Sequence, residues 1–252
     1  MKAFDDQRFA VIADIHSNAD ALLAVLQDIS DRRIDSIINL GDHLSGPMAA
    51  RETADILTAI KMLSIRGNHD RWLVEQERAS MSSIDGVAFD QLEASHLDWL
   101  QKLPPTLEVS DEIFACHGTP ASDTSYWMES VTVNGDVVLR AAEEIAKEAE
   151  GIKASLLLCG HTHLGRRVDL LDGRTILNPG SVGCPAYSDN RPVQHMVQTG
   201  TSAASYAVVE RSRAGWITSI HYVPYDPNRM IALAREAGHS RWVPRLTTGW
   251  VN

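Results

Sequence analysis

Five apolar runs of this chain stop at the same kinds of residue. The stretches VIADIH, INLGDH, SIRGNHD, FACHG and LLCGHTH bring in Asp14, His16, Asp42, Asn68, His69, His117, His161 and His163. Any one of these alone reads as an ordinary loop or capping residue, because Asp, Asn and His fill turns readily. Five run ends that all carry metal-competent side chains make coincidence a poor account. Carboxylates, an amide oxygen and imidazoles are donors suited to divalent transition ions. Two such ions held by only two carboxylates leave a net positive centre, which is the local field an acidic chain needs to bind phosphate. Ions about 3.5–4 Å apart can share a bridging hydroxide that is nucleophilic at neutral pH, and they neutralise charge growing on a phosphoryl group.

For those ends to meet, the runs must lie side by side as strands. RFAVIAD, DSIINLGD and KMLSIRGNHD read as buried strands, with amphipathic helices over NADALLAVLQDISDR and MAARETADILTAI between them. Two further helical stretches finish at HLDWLQKLP, where the Pro pair stops the helix. TLEVSDEIFACHG reads as a hairpin turning at Ser110-Asp111, and NGDVVLRAAEEIAKEAEG as one long helix with Asn134 near its start and Gly151 as C-cap. ASLLLCGHTH is the next strand. Strand pairs around Asp172-Gly173 and Ala214-Gly215 and a helix over DPNRMIALAREAG follow. This order predicts an α/β fold: a two-sheet mixed β-sandwich flanked by helices, parallel at its centre and antiparallel at its edges. In open α/β sheets the carboxyl ends of the strands face the ligand crevice, so the polar ends are expected to converge. No linker or repeat divides the chain, which is expected to form one domain over 1–252, its tail from about 226 a helix plus a docking segment.

Composition narrows the function. The 252 residues carry a formal charge of -10, with the acids spread along the chain. That distribution argues against a nucleic-acid duplex as partner, since phosphate backbones need clustered Lys and Arg. No run is long enough to cross a bilayer, and the N-terminal apolar run is too short for a signal segment. Cys116, Cys159 and Cys184 are odd in number and lie in apolar or Pro-flanked settings, which reads as reduced thiols and a cytoplasmic protein. The chain has no G-x-x-x-x-G-K-[ST] loop, no G-x-G-x-x-G, no G-x-S-x-G elbow and no H-E-x-x-H. Nucleotide cradles, serine hydrolases and zinc proteases are therefore unsupported.

Taken together, D-x-H (Asp14, His16), G-D (Gly41, Asp42), G-N-H-D (Gly67 to Asp70), the lone His117 and G-H-x-H (Gly160 to His163) resemble the calcineurin-like metallophosphoesterases. LNPGSVG at 177–183 further resembles the small prokaryotic phosphodiesterases of that group. The resemblance implies a four-layer fold and two divalent ions drawn from Mn, Fe, Ni or Zn. It assigns Asp14, His16 and His163 to one ion and Asn68, His117 and His161 to the other, with Asp42 bridging. His69 would be no ligand but a catalytic group, assisting the leaving oxygen while a bridging hydroxide attacks phosphorus. The substrate expected is a small phosphoester, preferably a phosphodiester. Ser45 and Gly46 stand where protein phosphatases of the family carry a second Asp and an Arg in G-D-x-x-D-R-G, so the Asp that would orient His69 is expected to be missing. The rivals are a phosphomonoesterase or protein phosphatase, and a non-catalytic scaffold built on the same fold.

Other residues carry weaker expectations. His43 reads as a lining or exposed loop residue, and Asp70 as a helix cap or a partner of a ligand His. Tyr126 and Trp127 are candidates to stack on a leaving group, or else a packed aromatic pair. Arg191 and His195 fall in a long irregular stretch, 184–203, that reads as a lid. The spacing of His161 and His163 predicts an extended segment with both rings on one face. The tail's Trp and Leu are available for a homodimer contact.

Overall fold

The computed structural model describes residues 5–252; the first four residues of the N-terminal stretch read above lie outside it. Fourteen strands and eight α-helices follow in order among the described residues. They begin with β1 (Arg8–Ile12), α1 (Ala19–Asp31), β2 (Ile37–Asn39), α2 (Ala50–Ala59) and β3 (Leu63–Ser64). Next come α3 (Asn68–Glu75), α4 (Ser83–Phe89), α5 (Ala94–Lys102), β4 (Thr106–Ser110), β5 (Ile113–Cys116), β6 (Glu129–Val131), β7 (Val137–Leu139), α6 (Ala142–Glu148) and β8 (Leu156–Leu158). The remainder comprises β9 (Arg166–Asp169), β10 (Thr175–Asn178), β11 (Ala186–Asp189), β12 (His195–Gln198), β13 (Ala204–Ser212), β14 (Gly215–Val223), α7 (Asn228–Glu236) and α8 (Trp242–Thr248).

Two five-stranded sheets carry the fold. One runs β14-β13-β1-β2-β3, the other β4-β5-β8-β10-β9. β1, β2 and β3 are parallel, as are β5, β8 and β10, while β13, β14, β4 and β9 pair antiparallel at the flanks. Alternation along each central strand explains why both faces are covered. Phe9 and Val11 of β1 pack with Ile113, Leu156 and Leu158 between the sheets. Ala10 and Ile12 turn the other way, onto Leu22, Val25 and Ile29 of α1 and Leu57 of α2. Leu157 faces Ile145 of α6 on the far side of the second sheet. The result is helix, sheet, sheet, helix, as expected. Leu158 is fully buried, so truncating it to Ala costs about 2–5 kcal/mol.

Four expectations are corrected. The helix expected from Asn134 is a hairpin followed by a short helix: Asn134-Gly135 is the turn between β6 and β7, with Gly135 at φ +86°. Val137 and Val138 favour the strand, and helix begins only at Ala142. The irregular 184–203 stretch is an antiparallel hairpin, β11 against β12, paired from Ala186 with Gln198 to Asp189 with His195. The tail forms a second helix, α8, which buries Trp242 and Leu246 against α7. The β4–β5 turn falls on Asp111-Glu112 rather than Ser110-Asp111. Among the described residues no helix is long and apolar enough to cross a membrane.

Candidate metal centre

The strand ends that carry the polar residues meet across the seam between the sheets. Asp14 and His16 follow β1, Asp42 follows β2, and Asn68 and His69 open α3 after β3. His117 follows β5, and His161 and His163 follow β8. Backbone bonds stitch the loops together: Asp14 N–H donates to the Gly41 carbonyl, Ile15 and His16 N–H to the Asp42 carbonyl, and Gly160 N–H to the His117 carbonyl. Gly41 sits at φ +100°, and a Cβ there would lie 2.4 Å from the Gly67 nitrogen, so the glycines let two loops touch.

The side chains form two clusters. Asp14, His16 and His163 offer ligand atoms that all lie within 4.8 Å of one another, and so do Asp42, His117 and His161. Asn68 joins the second cluster, its Oδ1 3.1 Å from His117 Nε2. Asp42 reaches both: its Oδ2 lies 3.3 Å from His117 Nε2 and 3.8 Å from His16 Nε2, while its Oδ1 accepts the His69 backbone N–H.

Hydrogen bonds at the rear fix the tautomers. Nδ1 of His16, His117 and His163 faces the carbonyl oxygen of Ser45, Leu40 and Cys184, at 2.9, 2.7 and 2.6 Å. A carbonyl only accepts, so each Nδ1 carries a hydrogen, and it is Nε2 that presents a lone pair whenever the ring is neutral. Those lone pairs converge, with Nε2 of His16 and His163 only 3.2 Å apart. Asp14 Oδ1, 3.4 Å from His163 Nε2, is buried without a hydrogen bond. Acceptors packed this way repel unless a cation lies among them, so the donor set fits divalent ions.

Titration speaks the same way. Burial would raise the Asp14 and Asp42 carboxyls, but the imidazoles of His163 and His117 hold them below the ordinary value. Burial lowers His163 and His117, yet Asp14 lifts His163 well above 6.5 and Asp42 lifts His117 to about 9. Burial and a neighbouring imidazole push His16 and His161 down to about 4. With its own groups alone, the site draws in positive charge to balance two carboxylates.

The loops are strained to achieve this. Asp14, His16, Asp42, His161 and His163 all have φ between +49° and +69°, in the left-handed region. Each such residue costs about 1–2 kcal/mol, a pattern that clusters at functional sites. The extended segment expected for His161 and His163 is corrected accordingly. Asn178 Nδ2 bonds the Gly160 carbonyl and Thr162 Oγ1 and holds that loop coiled.

His69 stands beside the first cluster, its ring centroid 5.4 Å from that of His16. The Asp expected to be missing is supplied from elsewhere. His69 Nδ1 lies 2.8 Å from Oδ1 of buried Asp85, in the first turn of α4, and Ser45 and Ser82 hydroxyls also donate to that carboxylate. Burial lowers His69, but Asp42 and then Asp85 outweigh it and hold the imidazole above its ordinary value. In sequence Asp85 looks like any first-turn acid after an N-cap serine, so nothing local marks it.

The remaining candidates separate. His43 is neither exposed nor lining: it is fully buried, its Nδ1 2.7 Å from Asp70, its ring 5.1 Å from Trp99. Asp70 also accepts from the backbone N–H groups of Asp42, His43 and Gly67, and so ties the Asp42 loop to α3. Trp127 is core, its Nε1 donating to the Ile145 carbonyl. Tyr126 lies at the site, 5.3 Å from the His161 ring, while Arg191 is exposed on the hairpin turn. Tyr187, which the sequence reading missed, packs 4.7 Å from the His163 ring. Cys116 and Cys159 are buried free thiols whose burial pushes them up, so they stay protonated and out of the centre.

Residues 8–202 match the family model described as the calcineurin-like phosphoesterase superfamily domain. The chain belongs to that superfamily. It is similar to the uncharacterized protein MJ0912 of Methanocaldococcus jannaschii, 29% identical over 198 residues that span 72% of this chain and 79% of that protein. It is 28% identical to serine/threonine-protein phosphatase 1 of Salmonella typhimurium over 176 residues, 63% of this chain and 80% of that one. The crystal structure of a metallophosphoesterase from Sphaerobacter thermophilus superposes with a TM-score of 0.70 at 27% identity, covering 93% of this chain and 95% of that one. This superfamily member thus couples the shared fold to two clusters of metal-competent side chains.

Proposed function

We propose that the protein is a binuclear metal-dependent phosphoesterase with a preference for phosphodiesters. The observation that carries this is Asp42 Oδ2, placed between His16 Nε2 and His117 Nε2 so that one carboxylate serves both clusters. Asp14, His16 and His163 would hold one divalent ion, and Asn68, His117 and His161 the other. Bound there, the ions would supply a nucleophile from water at neutral pH and neutralise charge on the phosphoryl oxygens.

The chain's own residues do the rest. His69, oriented by Asp85 through Nδ1, carries a proton at Nε2 for the departing ester oxygen. Burial works against a charge on His69, but Asp42 and then Asp85 outweigh it and favour the protonated imidazole. Gly46 stands where the phosphate-clamping Arg would be in the G-D-x-x-D-R-G pattern, which lessens the hold on a dianionic monoester, while Ser45, in the place of the second Asp, donates to Asp85. A second reading, a phosphatase acting on protein phosphomonoesters, draws on the likeness to the Salmonella typhimurium enzyme.

Metal analysis of the purified protein, followed by assay on phosphomonoesters and on cyclic and linear phosphodiesters with added Mn²⁺, tests the proposal. Two ions per chain and faster turnover of diesters are expected. Preference for a phosphoprotein favours the second reading, and no hydrolysis with both ions bound overturns both.

A further inference from the structure

His69 and Trp72, whose rings lie 4.6 Å apart, form one side of the site. Two tyrosines form the other. Tyr126 lies on the loop after His117, and Tyr187 comes from β11; they pack on the rings of His161 and His163 respectively. Tyr126, Tyr187 and His161 are all partly exposed, as are His69 and Trp72, so these five residues edge the opening.

The hydroxyls form a closed chain. Tyr126 Oη lies 2.5 Å from Tyr187 Oη and 2.9 Å from His195 Nε2, and His195 Nδ1 lies 2.8 Å from the Val193 carbonyl oxygen. That carbonyl only accepts, so His195 Nδ1 carries a hydrogen, and neutral His195 accepts at Nε2 from Tyr126. Tyr187 then donates to Tyr126. If His195 carries both hydrogens the chain reverses: Tyr126 donates to Tyr187, and Tyr187 to the His161 carbonyl oxygen 3.5 Å away. Either direction spends both phenolic hydrogens inside the protein. This wall offers a substrate ring edges and oxygen lone pairs, but no hydroxyl hydrogen.

A phosphomonoester dianion projects a charged oxygen that needs a donor, whereas a phosphodiester puts an uncharged ester group in its place. Building on the phosphoesterase reading above, we infer that Tyr126 and Tyr187, locked by His195, are specificity-determining residues. They seat the retained apolar or aromatic ester group of a phosphodiester and disfavour dianionic monoesters. The Trp72 ring beside His69 and the tyrosine rings beside His161 and His163 suit a flat ester group.

The test is the ratio of kcat/KM for bis(p-nitrophenyl) phosphate to that for p-nitrophenyl phosphate, in Mn²⁺-loaded protein with metal content measured for each variant. Tyr126→Phe takes away the near acceptor of Tyr187 and leaves only the long contact to the His161 carbonyl oxygen at 3.5 Å, so that hydrogen can turn to a phosphoryl oxygen. The ratio is expected to fall about tenfold, chiefly through a lower KM for the monoester, the factor that one hydrogen bond to a charged group supplies. Tyr187→Phe removes the hydroxyl itself, so its ratio holds or widens. A purely structural role would slow both substrates together and leave the ratio alone. An unchanged ratio in Tyr126→Phe, or an equal fall in both variants, overturns the assignment. Failure of the wild type to hydrolyse either substrate sinks the phosphoesterase reading itself, and this assignment with it.

Discussion

The two sides of the opening are built from different chemistry. On the His69 side the groups are ionic: an imidazole held by the buried carboxylate of Asp85, which two serine hydroxyls steady in turn. On the tyrosine side the groups are phenols, and burial pushes the Tyr126 phenol up to about 12, so it stays protonated at any working pH. The first arrangement suits moving a proton, the second suits recognising shape. On the proposed reading one site divides reaction and selection between its two walls, with the metal-competent residues between them.

That division can be broken at its centre first. Asp42→Ala removes the carboxylate that joins the clusters and is expected to cost at least about 10⁴-fold in activity, because the charge stabilisation of both ions goes with it. Metal analysis should show ions lost from both positions; a variant that keeps two ions would contradict the bridging role. His69→Ala affects only the ionic wall: a loss on the order of 10²–10⁴-fold with both metals retained and the diester-to-monoester ratio unchanged. A shifted ratio would show that the walls are not separable.

Asp85→Asn sharpens the contrast. Asp85 is one of the carboxylates raising His69, so its loss lowers the imidazole's value. The protonated form is the useful one, so activity falls as pH rises through that value. In the variant the alkaline limb of the kcat profile should move to lower pH, with turnover down about ten- to a hundredfold. An unmoved limb would remove Asp85 from the proton's path. The smallest effect is expected from Gly67→Ala, whose Cβ would lie 2.2 Å from Asp42 Oδ1. Crowding there should destabilise the fold by about 1–3 kcal/mol, read from thermal denaturation, and loosen the metals without touching the tyrosine wall.

The strand ends were legible in sequence because each joins an apolar run to Asp, Asn or His, often across a glycine. Those local rules survive folding: Gly41 and Gly67 are required by the contact between their loops. What escaped was non-local. Asp85 acts on His69 from a different helix, sixteen residues away in sequence, and only the packing of α4 reveals it. Tyr187 arrives on a hairpin whose strands are short and flanked by exposed polar residues, which hid the period-two pattern. The coil at His161 and His163 depends on Asn178 reaching back from β10, so Gly-His-Thr-His alone looked extended. Asn134-Gly135 was readable as a hairpin turn, but the helix-forming residues after Arg140 drew the whole stretch into one element.

Each cluster draws from both sheets: Asp14 and His16 follow the first sheet and His163 the second, and Asp42 and Asn68 face His117 and His161 in the same way. Ions bound there act as rivets across the seam of the sandwich. Ligation is therefore linked to the cohesion of the two halves, adding about 2.7 kcal/mol at a hundredfold excess over the dissociation constant. A chelator would then do more than silence the protein: it would lower the temperature at which the sheets part.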